Sequence, residues 1–327
     1  MKINLMKLIK NPRFLDIFCY VFCAIYLFCA ICVAGINVYE GKKMDAEINN
    51  LLAYVNSINK QVEKENLFNK ENENPDLPST PLFSDGKTAL ITAYKKLYDA
   101  NSFYIKLDGQ ISTSVMDIAL KVRFCDTAIR YNSQKCFNEL LIGFIDSSAL
   151  QSTISEKVKY GKQILKEGDS CRFRDTIYTD VVDNTLVGYG WSAVSACENV
   201  SIMPEKLLIV NEETIRQISY FKVKTKDGRA QYYYVQAELD PEKATKDFAT
   251  ATSFNLGLCQ LGIPTYTRCT ITACINANGN LLGLTSSDTA DLSVTYSSLN
   301  LQVKANYNIT YAFNAIDQQI NFVPEGF

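Results

Sequence analysis

The sequence of 327 residues contains no histidine. This absence excludes Ser-His and Cys-His catalysis, histidine general bases and every histidine-ligated metal site. Positive charge is not in excess either, because 33 Lys and Arg residues face 35 Asp and Glu residues, for a net charge of -2. A nucleic-acid-binding surface must be basic, so we expect no nucleic-acid partner. Because histidine is absent, most common hydrolytic mechanisms are excluded, and we expect a protein that is not an enzyme.

Cysteine is present, but it lacks the spacing of a metal site. Four of the eleven cysteines lie in the apolar N-terminal segment, and the other seven contain no Cys-x-x-Cys pair. Cys269 and Cys274 have opposite parity in one predicted strand, so they face opposite sides of it, and we expect no zinc and no other cofactor. Seven is odd, so at least one thiol is free or pairs with another chain. Apart from Cys269 and Cys274, the pairs nearest in sequence are Cys125 with Cys136 and Cys259 with Cys269, and buried free thiols are the alternative.

Charge is missing altogether from residues 17–36, a run of twenty that is long enough to cross a hydrocarbon core of about 30 Å. Four Lys and Arg residues precede this run, which puts the N-terminus in the cytoplasm and the remainder outside. The interpretation is a single-pass anchor at 17–38 after a cytoplasmic segment at 1–16, with the bilayer as a partner. A cleaved signal peptide, with Val33-Ala34-Gly35 as its cleavage site, is the alternative. The cysteines of the run follow phenylalanine or isoleucine, which does not fit a lipoprotein signal.

An apolar residue recurs at alternating spacings of four and three after the anchor. This a/d pattern predicts a juxtamembrane helix over 39–65 that forms a short coiled coil through 44–62, and therefore a homo-oligomer. A lone amphipathic helix that lies on the membrane or on the domain is the alternative. The linker at 66–82 contains three prolines and few apolar residues, and the folded extracytoplasmic domain follows at 83–327. The residues of the pattern are Met44, Ile48, Leu51, Val55, Ile58 and Val62.

The folded region ends in a long strand, since apolar and polar residues alternate from Leu299 to Phe313. A strand of about fifteen residues would span on the order of 50 Å, so the sheet that contains it must twist or bend. Asp227-Gly228 and Asn278-Gly279 predict two further hairpins.

Two helices are also predicted in this region. The first lies near Gly86–Asn101, and the second begins after Asp240 and ends near Gly257.

The segment from 126 to 200 is harder to interpret. It suggests strands at 137–145, 170–178 and 186–194, with a short helix at 150–159. Runs of strands separated by single helices, rather than regular alternation, predict an α+β fold.

Two features of the sequence form a recognisable pattern. One is the Ala100-Asn101-Ser102-Phe103 stretch, in which a helix runs into strands. The other is the hairpin Ile271–Asn280, which is followed by the long strand and a closing Pro324. Together they resemble the LolA/LppX-like lipoprotein-carrier superfamily. The resemblance implies a strongly curved antiparallel half-barrel with helices packed on its concave face, around a cavity that takes a lipid or acyl chain. It transfers no ligand-binding residue, because it is a likeness of pattern.

The predicted function is that of a membrane-anchored extracytoplasmic binding protein for a lipid or other apolar ligand. We expect the cavity lining at Tyr233, Val235, Phe248, Tyr307, Ile309, Tyr311 and Phe313. An interaction module with a solid core and a self-associating stalk is the alternative, and in that case the same residues only fill the core.

A Ser-Lys hydrolase is a third hypothesis. Ser84-Asp-Gly-Lys87 and Ser57-Ile-Asn-Lys60 both match the S-x-x-K motif of penicillin-binding enzymes. Neither is accompanied by the other elements of that class, and helix capping is the simpler role for Ser84.

Overall fold

The computed structural model describes most of the chain from residue 42 onward. The predicted anchor, the linker as far as residue 80, the predicted helix as far as residue 158, the Asp227-Gly228 turn and Pro324 all lie outside the described residues. Among the described helices, none is both long enough and apolar enough to span a membrane. The described ranges are 42–64, 81–115, 118–131, 135–146, 159–178, 186–188, 190–196, 207–226, 229–255, 259–296 and 299–321.

The chain divides into two compact units, residues 1–50 and residues 51–327. The described part of the first unit is 42–50, which is helical and carries an i,i+4 ion pair between Lys43 and Glu47. The second unit contains the rest of that helix and all of the elements below.

Four helices are described, and two of them are long. Asp85 caps the second helix, because its carboxylate accepts a hydrogen bond from the Thr88 backbone amide at 2.8 Å. Asp240 caps the third helix in the same way, and Pro241 occupies its first position. The helix predicted after Asp240 therefore begins where expected, but the structure has two separate four-residue helices in its place. The helices are α1 (42–64), α2 (Gly86–Asp99), α3 (Pro241–Ala244) and α4 (Phe248–Ala251).

Fourteen strands of the described chain form one antiparallel sheet. The main path runs β6-β5-β4-β3-β2-β1-β14-β13-β12-β9-β8, and its two ends do not meet, so the sheet is open. The strands are β1 (Phe103–Val115), β2 (Ile118–Tyr131), β3 (Lys135–Asp146), β4 (Lys159–Glu167), β5 (Ser170–Tyr178), β6 (Leu186–Gly188), β7 (Ser195–Ala196), β8 (Ile215–Lys226), β9 (Arg229–Leu239), β10 (Phe254–Asn255), β11 (Cys259–Leu261), β12 (Thr265–Asn276), β13 (Leu281–Tyr296) and β14 (Leu299–Asn314).

The last strand lies at the centre of the sheet. β14 pairs with β13 on one side and with β1 on the other, so that Tyr311 stands opposite both Leu284 and Leu107. The large antiparallel sheet with few helices confirms the coarse fold prediction.

One face of the sheet, which we call the inner face, carries the main hydrophobic core. Alternate residues of β9, β12, β13, β14, β1 and β2 lie on it, and α2 packs against its β8–β9 side. A Cβ atom on Gly86 would lie 3.0 Å from Ile218 and 3.2 Å from Val235, so glycine permits the close approach of α2.

The opposite, outer face is covered in part by residues 51–64 of α1. A Cβ atom on Gly283 would lie 2.7 Å from Val55 and 2.9 Å from Leu51, which shows that the helix lies directly on β13. Further along, Lys106 of β1 donates a hydrogen bond to Gln61 at 3.1 Å. The apolar pattern of the helix thus faces this chain's own sheet from Leu51 on. This arrangement matches the alternative interpretation, in which the amphipathic helix lies on the domain. The apolar side chains that pack on the sheet are the ones that a coiled coil would use.

A row of buried apolar side chains also lies on the outer face. Tyr104, Ile129, Phe137 and Leu165 are register partners across β1, β2, β3 and β4, and all four are buried. Helices therefore lie on both faces of the sheet, α2 on the inner face and residues 51–64 of α1 on the outer face, because both faces carry apolar residues that need cover.

Candidate ligand-binding site

All seven residues predicted to line a cavity belong to one core cluster on the inner face. Each is at most 2% exposed, so these side chains face other side chains rather than solvent. They fall into two groups at opposite ends of the core.

The first group lies under the N-terminus of α2. The Tyr233 ring packs edge-on against Phe83, with centroids 5.1 Å apart, and its hydroxyl accepts a hydrogen bond from the Leu82 amide at 2.6 Å. Val235 lies beside the start of α2. Tyr233 thus holds the segment before α2, and Val235 packs beside it.

The second group lies under the segment from Asp240 to Leu261, which we call the cap. It contains α3, α4, β10 and β11 and connects β9 to β12. Phe248 of the cap contacts the Tyr266 ring at 5.4 Å, and Tyr266 contacts the Tyr307 ring at 5.1 Å. Phe254 of the cap contacts Phe124 of β2 at 5.1 Å. The cap thus closes the inner face through aromatic contacts.

Ile309, Tyr311 and Phe313 of β14 connect the two groups. The Tyr311 and Phe313 rings are stacked 6.1 Å apart. Burial raises the pKa of Tyr311 well above its ordinary value, and Tyr94 and Asp288 add to the shift electrostatically.

A polar cluster lies among these apolar residues, and the sequence pattern did not predict it. Cys269, Asp288 and Tyr307 are register partners on β12, β13 and β14, and all three point to the inner face. Ser286, two residues before Asp288, shares that face and is fully buried. The only sequence signal is that Ser286 and Asp288 occupy core positions of an otherwise alternating strand that continues through Ala290 and Leu292.

The Asp288 carboxyl is only 3% exposed and has hydrogen-bond partners on both oxygens. Ser286 Oγ donates to Oδ2, and the Thr270 amide donates to Oδ1 at 3.2 Å. Burial nevertheless raises the pKa of Asp288 to about 7, because the charged form loses its hydration; the bonds from Ser286, Thr270 and Cys269 oppose this shift. The group is therefore largely a neutral acid in mildly acidic solution.

Two buried tyrosine hydroxyls of the core have no hydrogen-bond partner. They belong to Tyr94 of α2 and Tyr307 of β14, and both residues are 0% exposed. Tyr266 differs, since its hydroxyl is 2.9 Å from Thr252 Oγ1 of the cap. Buried hydroxyls are nearly always hydrogen-bonded in folded proteins, so two unsatisfied hydroxyls and a buried acid in one core are unusual.

The remaining sequence hypotheses have simple structural outcomes. Lys87 forms an ion pair with Glu212, and Asp85 rather than Ser84 caps the helix. No group of three or more metal-ligating side chains occurs within the described ranges.

The two disulfide pairs considered from the sequence are absent from the structure. Cys125, Cys136 and Cys269 are free thiols, as is Cys274. Cys171, in contrast, is disulfide-bonded.

Comparison with known proteins gives resemblance at the level of structure alone. No protein-family model and no curated protein matches the sequence. A DUF1329 family protein from Desulfovibrio piger is 10% identical, with a TM-score of 0.21, and the match covers 73% of this chain and 95% of that one. A LolA superfamily protein from Nitrosomonas europaea is 10% identical, with a TM-score of 0.20, over 74% and 96% of the two chains.

A third solved structure is an outer membrane lipoprotein-sorting protein domain from Vibrio parahaemolyticus. It is 8% identical, with a TM-score of 0.22, and the match covers 74% of this chain and 95% of that one. The weak LolA-like resemblance predicted from the sequence is thus found again among solved structures. TM-scores this low transfer no function.

Proposed function

We propose that this chain is a membrane-anchored, extracytoplasmic, non-enzymatic binding protein that holds an apolar ligand of the lipid type against the inner face of its sheet. The observation that carries the proposal is the polar cluster under the cap. Two orphan hydroxyls and a buried acid stand inside an otherwise apolar interior. An unsatisfied buried polar group costs about 1–3 kcal/mol, and a ligand that supplies the missing hydrogen bonds would recover part of that free energy.

The cap provides the route by which a ligand would enter. It contacts the rest of the core through the rings of Phe248 and Phe254 and the hydrogen bond of Thr252 to Tyr266. Its strand β11 is held more firmly, because it pairs with β13 in the sheet. The two helices are single turns, which have little stability apart from such contacts. Displacement of the helical part alone would expose Tyr266 and Tyr307 while β11 stays paired.

Two features support the proposed location. The uncharged run at 17–36 and the Lys and Arg residues before it favour an anchor with the domain outside. The disulfide at Cys171 is typical of an oxidising, extracytoplasmic compartment.

A second candidate is an interaction module with a solid core, and one observation favours it. All seven residues that the sequence suggested as lining are at most 2% exposed. In this candidate the inner face never opens, and the protein acts through its surface.

The experiment that separates the two candidates is native mass spectrometry on the full chain, extracted in a mild detergent and exchanged into a lipid-free one. The proposal expects one retained lipid for each chain. The control is a chain that begins at residue 42 and lacks the predicted anchor, because lipid that surrounds a membrane helix would be lost with it. A clean protein mass for both chains, unchanged by added lipid, would establish the solid-core candidate instead.

A further inference from the structure

The outer face of the sheet carries a connected set of polar side chains. Glu139 of β3, Gln163 of β4 and Arg174 of β5 are register partners in one row across these strands. Gln163 lies two residues before Leu165, which belongs to the row of buried apolar side chains on the outer face, so both side chains share that face. This row therefore lies on the side of the sheet opposite to the proposed lipid-type ligand.

Two hydrogen bonds hold the Arg174 guanidinium from one side. Arg174 Nε donates to Gln163 Oε1 at 2.5 Å, and Gln163 Nε2 donates to Glu139 Oε1 at 2.5 Å. Gln163 is only 6% exposed, so its amide is a buried link between a cation and an acid. Because the amide oxygen accepts one bond and its nitrogen donates the other, the orientation of the amide is determined, and with it the position of Nε.

The indole ring of Trp191 holds the same guanidinium from a second side. Arg174 Cζ lies 4.8 Å from the centre of the Trp191 ring, a distance at which the face of the ring attracts a cation. The next residue, Ser192, fixes this segment to β5, because its amide donates to the Phe173 carbonyl at 2.9 Å. The Phe173 amide in turn donates to Ser192 Oγ at 2.9 Å. Trp191 is thus positioned by the strand that carries Arg174.

The two terminal nitrogens of the guanidinium remain available. Among the residues that the structure describes, Arg174 bonds to Gln163 through Nε and contacts Trp191, while Nη1 and Nη2 donate to no acceptor. These two nitrogens carry four N–H donors in one plane. Arg174 is half-buried, and both contacts restrict its side chain, so the planar fork is already oriented. A guanidinium fork of this kind matches the paired oxygens of a carboxylate or a phosphate.

The charges around the fork also favour an anion. In the described ranges no carboxylate forms an ion pair with Arg174, because Gln163 stands between it and Glu139. Arg172 is two residues earlier on β5 and therefore adds a second positive charge to the same face. Asp175 follows Arg174 directly, so it belongs to the opposite face.

We propose that Arg174, packed on Trp191 and anchored by Gln163, is a binding site for an oxyanion, namely a phosphate or carboxylate group. The site lies on the outer face, so it does not depend on the proposed lipid-type ligand of the inner face. The oxyanion comes either from a soluble compound or from the headgroup of an anionic lipid, and both present the same oxygens to the fork.

Trp191 provides the measurement, because it is the only tryptophan of the chain. The test is a fluorescence titration of the full chain in an uncharged detergent with sodium phosphate and with sodium acetate. Sodium chloride keeps the ionic strength constant, so that screening does not change during the titration. The expected result is a saturable change in Trp191 emission, with a dissociation constant of about 1 mM for a small ion held by one fork. Calorimetry measures the same binding independently.

Two variants test the role of the fork. Arg174→Lys keeps the positive charge but loses the planar pair of donors, and it should weaken phosphate binding by about tenfold. Gln163→Leu removes the anchor of Nε and should weaken binding by about threefold. The matched control is Arg123→Lys, at an exposed position of β2, which should leave binding unchanged. The melting temperature of each variant shows whether it is folded.

The source of the oxyanion is tested with the full chain in lipid nanodiscs. In discs of phosphatidylcholine, added phosphate should change the Trp191 emission. If phosphatidylglycerol in the discs abolishes this response, the headgroup of an anionic lipid occupies the site, and if the response persists, the ligand is a soluble oxyanion. The proposal is wrong if phosphate and acetate give neither a saturable emission change nor heat of binding, or if folded Arg174→Lys binds phosphate as the wild type does. Such a result would leave the proposed lipid-type function unaffected.

Discussion

At the scale of single residues, Asp288 makes the free energy of unfolding depend on pH. In the folded chain its pKa is about 7, whereas an unfolded aspartate titrates near pH 4. Between these values the folded state binds more protons than the unfolded state, so the free energy of unfolding contributed by this group decreases as pH rises from about 4 to about 7. Above pH 7 both states are ionised and the contribution stays constant.

We therefore predict that Asp288→Asn flattens this part of the pH profile. The wild-type protein should lose a few kcal/mol of stability between pH 4 and pH 7 from this residue, since one pKa unit corresponds to about 1.4 kcal/mol. Urea unfolding at a series of pH values measures the effect. Asp291→Asn is the control, because Asp291 lies on the same strand and is exposed. Identical slopes in the wild type and in Asp288→Asn would contradict the prediction.

Gly109 is a second residue with a measurable role. It stands opposite Phe124, and a Cβ atom at this position would lie 2.1 Å from the Phe124 ring. Gly109→Ala should force the ring from its place and lower the free energy of unfolding by about 1–3 kcal/mol, the usual effect of overpacking. Gly190→Ala is the control, because its Cβ atom would meet nothing within 4 Å.

The explanation for Gly109 has its own test. Phe124→Leu should recover part of the loss in the Gly109→Ala background, because the smaller side chain leaves room for the added methyl group. Simple additivity of the two changes in denaturant unfolding would show that ring and methyl group do not compete.

At the scale of elements, the docking of α1 depends on a glycine in the sheet. Gly283→Ala should push α1 away from β13, because Leu51 and Val55 occupy the space of the new methyl group. We expect faster amide hydrogen exchange in residues 51–64 than in the wild type. The double variant Gly283→Ala with Val55→Ala should restore slow exchange. The single variant Val55→Ala measures the effect of the shorter side chain by itself. Unchanged exchange in Gly283→Ala would place α1 elsewhere.

Element prediction from sequence succeeded where one face of an element is polar. Gly86–Asp99 and Leu299–Asn314 were predicted nearly at their ends, because their apolar periods of 3.6 and 2 are complete. Ser170–Tyr178 was predicted at its bounds. Strands whose buried face includes polar residues were harder: β4 (Lys159–Glu167), which buries Gln163 beside Leu165, was missed next to a segment predicted as helix. The strand predicted at 186–194 is described only as Leu186–Gly188.

The candidate site was predictable in its apolar part alone. Tyr307 and Tyr311 lie on the apolar side of an alternating strand, so periodicity places them in the core. Asp288 and Ser286 resemble ordinary surface residues by type, and only the pairing of β13 with β12 and β14 turns them inward beside Cys269 and Tyr307. Tyr94 joins them from α2, which no local pattern encodes.

At the scale of the whole molecule, residues 51–64 of α1 lie on the outer face of the domain. A chain that begins at residue 81 should melt at a lower temperature and bind a hydrophobic dye, since it loses the cover over part of the outer face. Each large apolar side chain that becomes exposed lowers the free energy of unfolding by about 1.5–3 kcal/mol. A chain that begins at residue 42 keeps the helix and serves as the control. Equal melting temperatures for the two chains would show that the helix contributes little.

The strand order has a consequence for how the protein is made. Along the main path neighbouring strands follow in chain order with two exceptions: β9 pairs with β12, with the cap between them, and the first strand pairs with the last. Until β14 leaves the ribosome, β1 and β13 are therefore edges of two separate meanders, and such unpaired edges invite association with other chains. The final strand then joins the two halves by pairing with β1. Pairing between segments so far apart in the sequence is slow to form during folding. Translation that stops shortly before Leu299 would release two unjoined meanders.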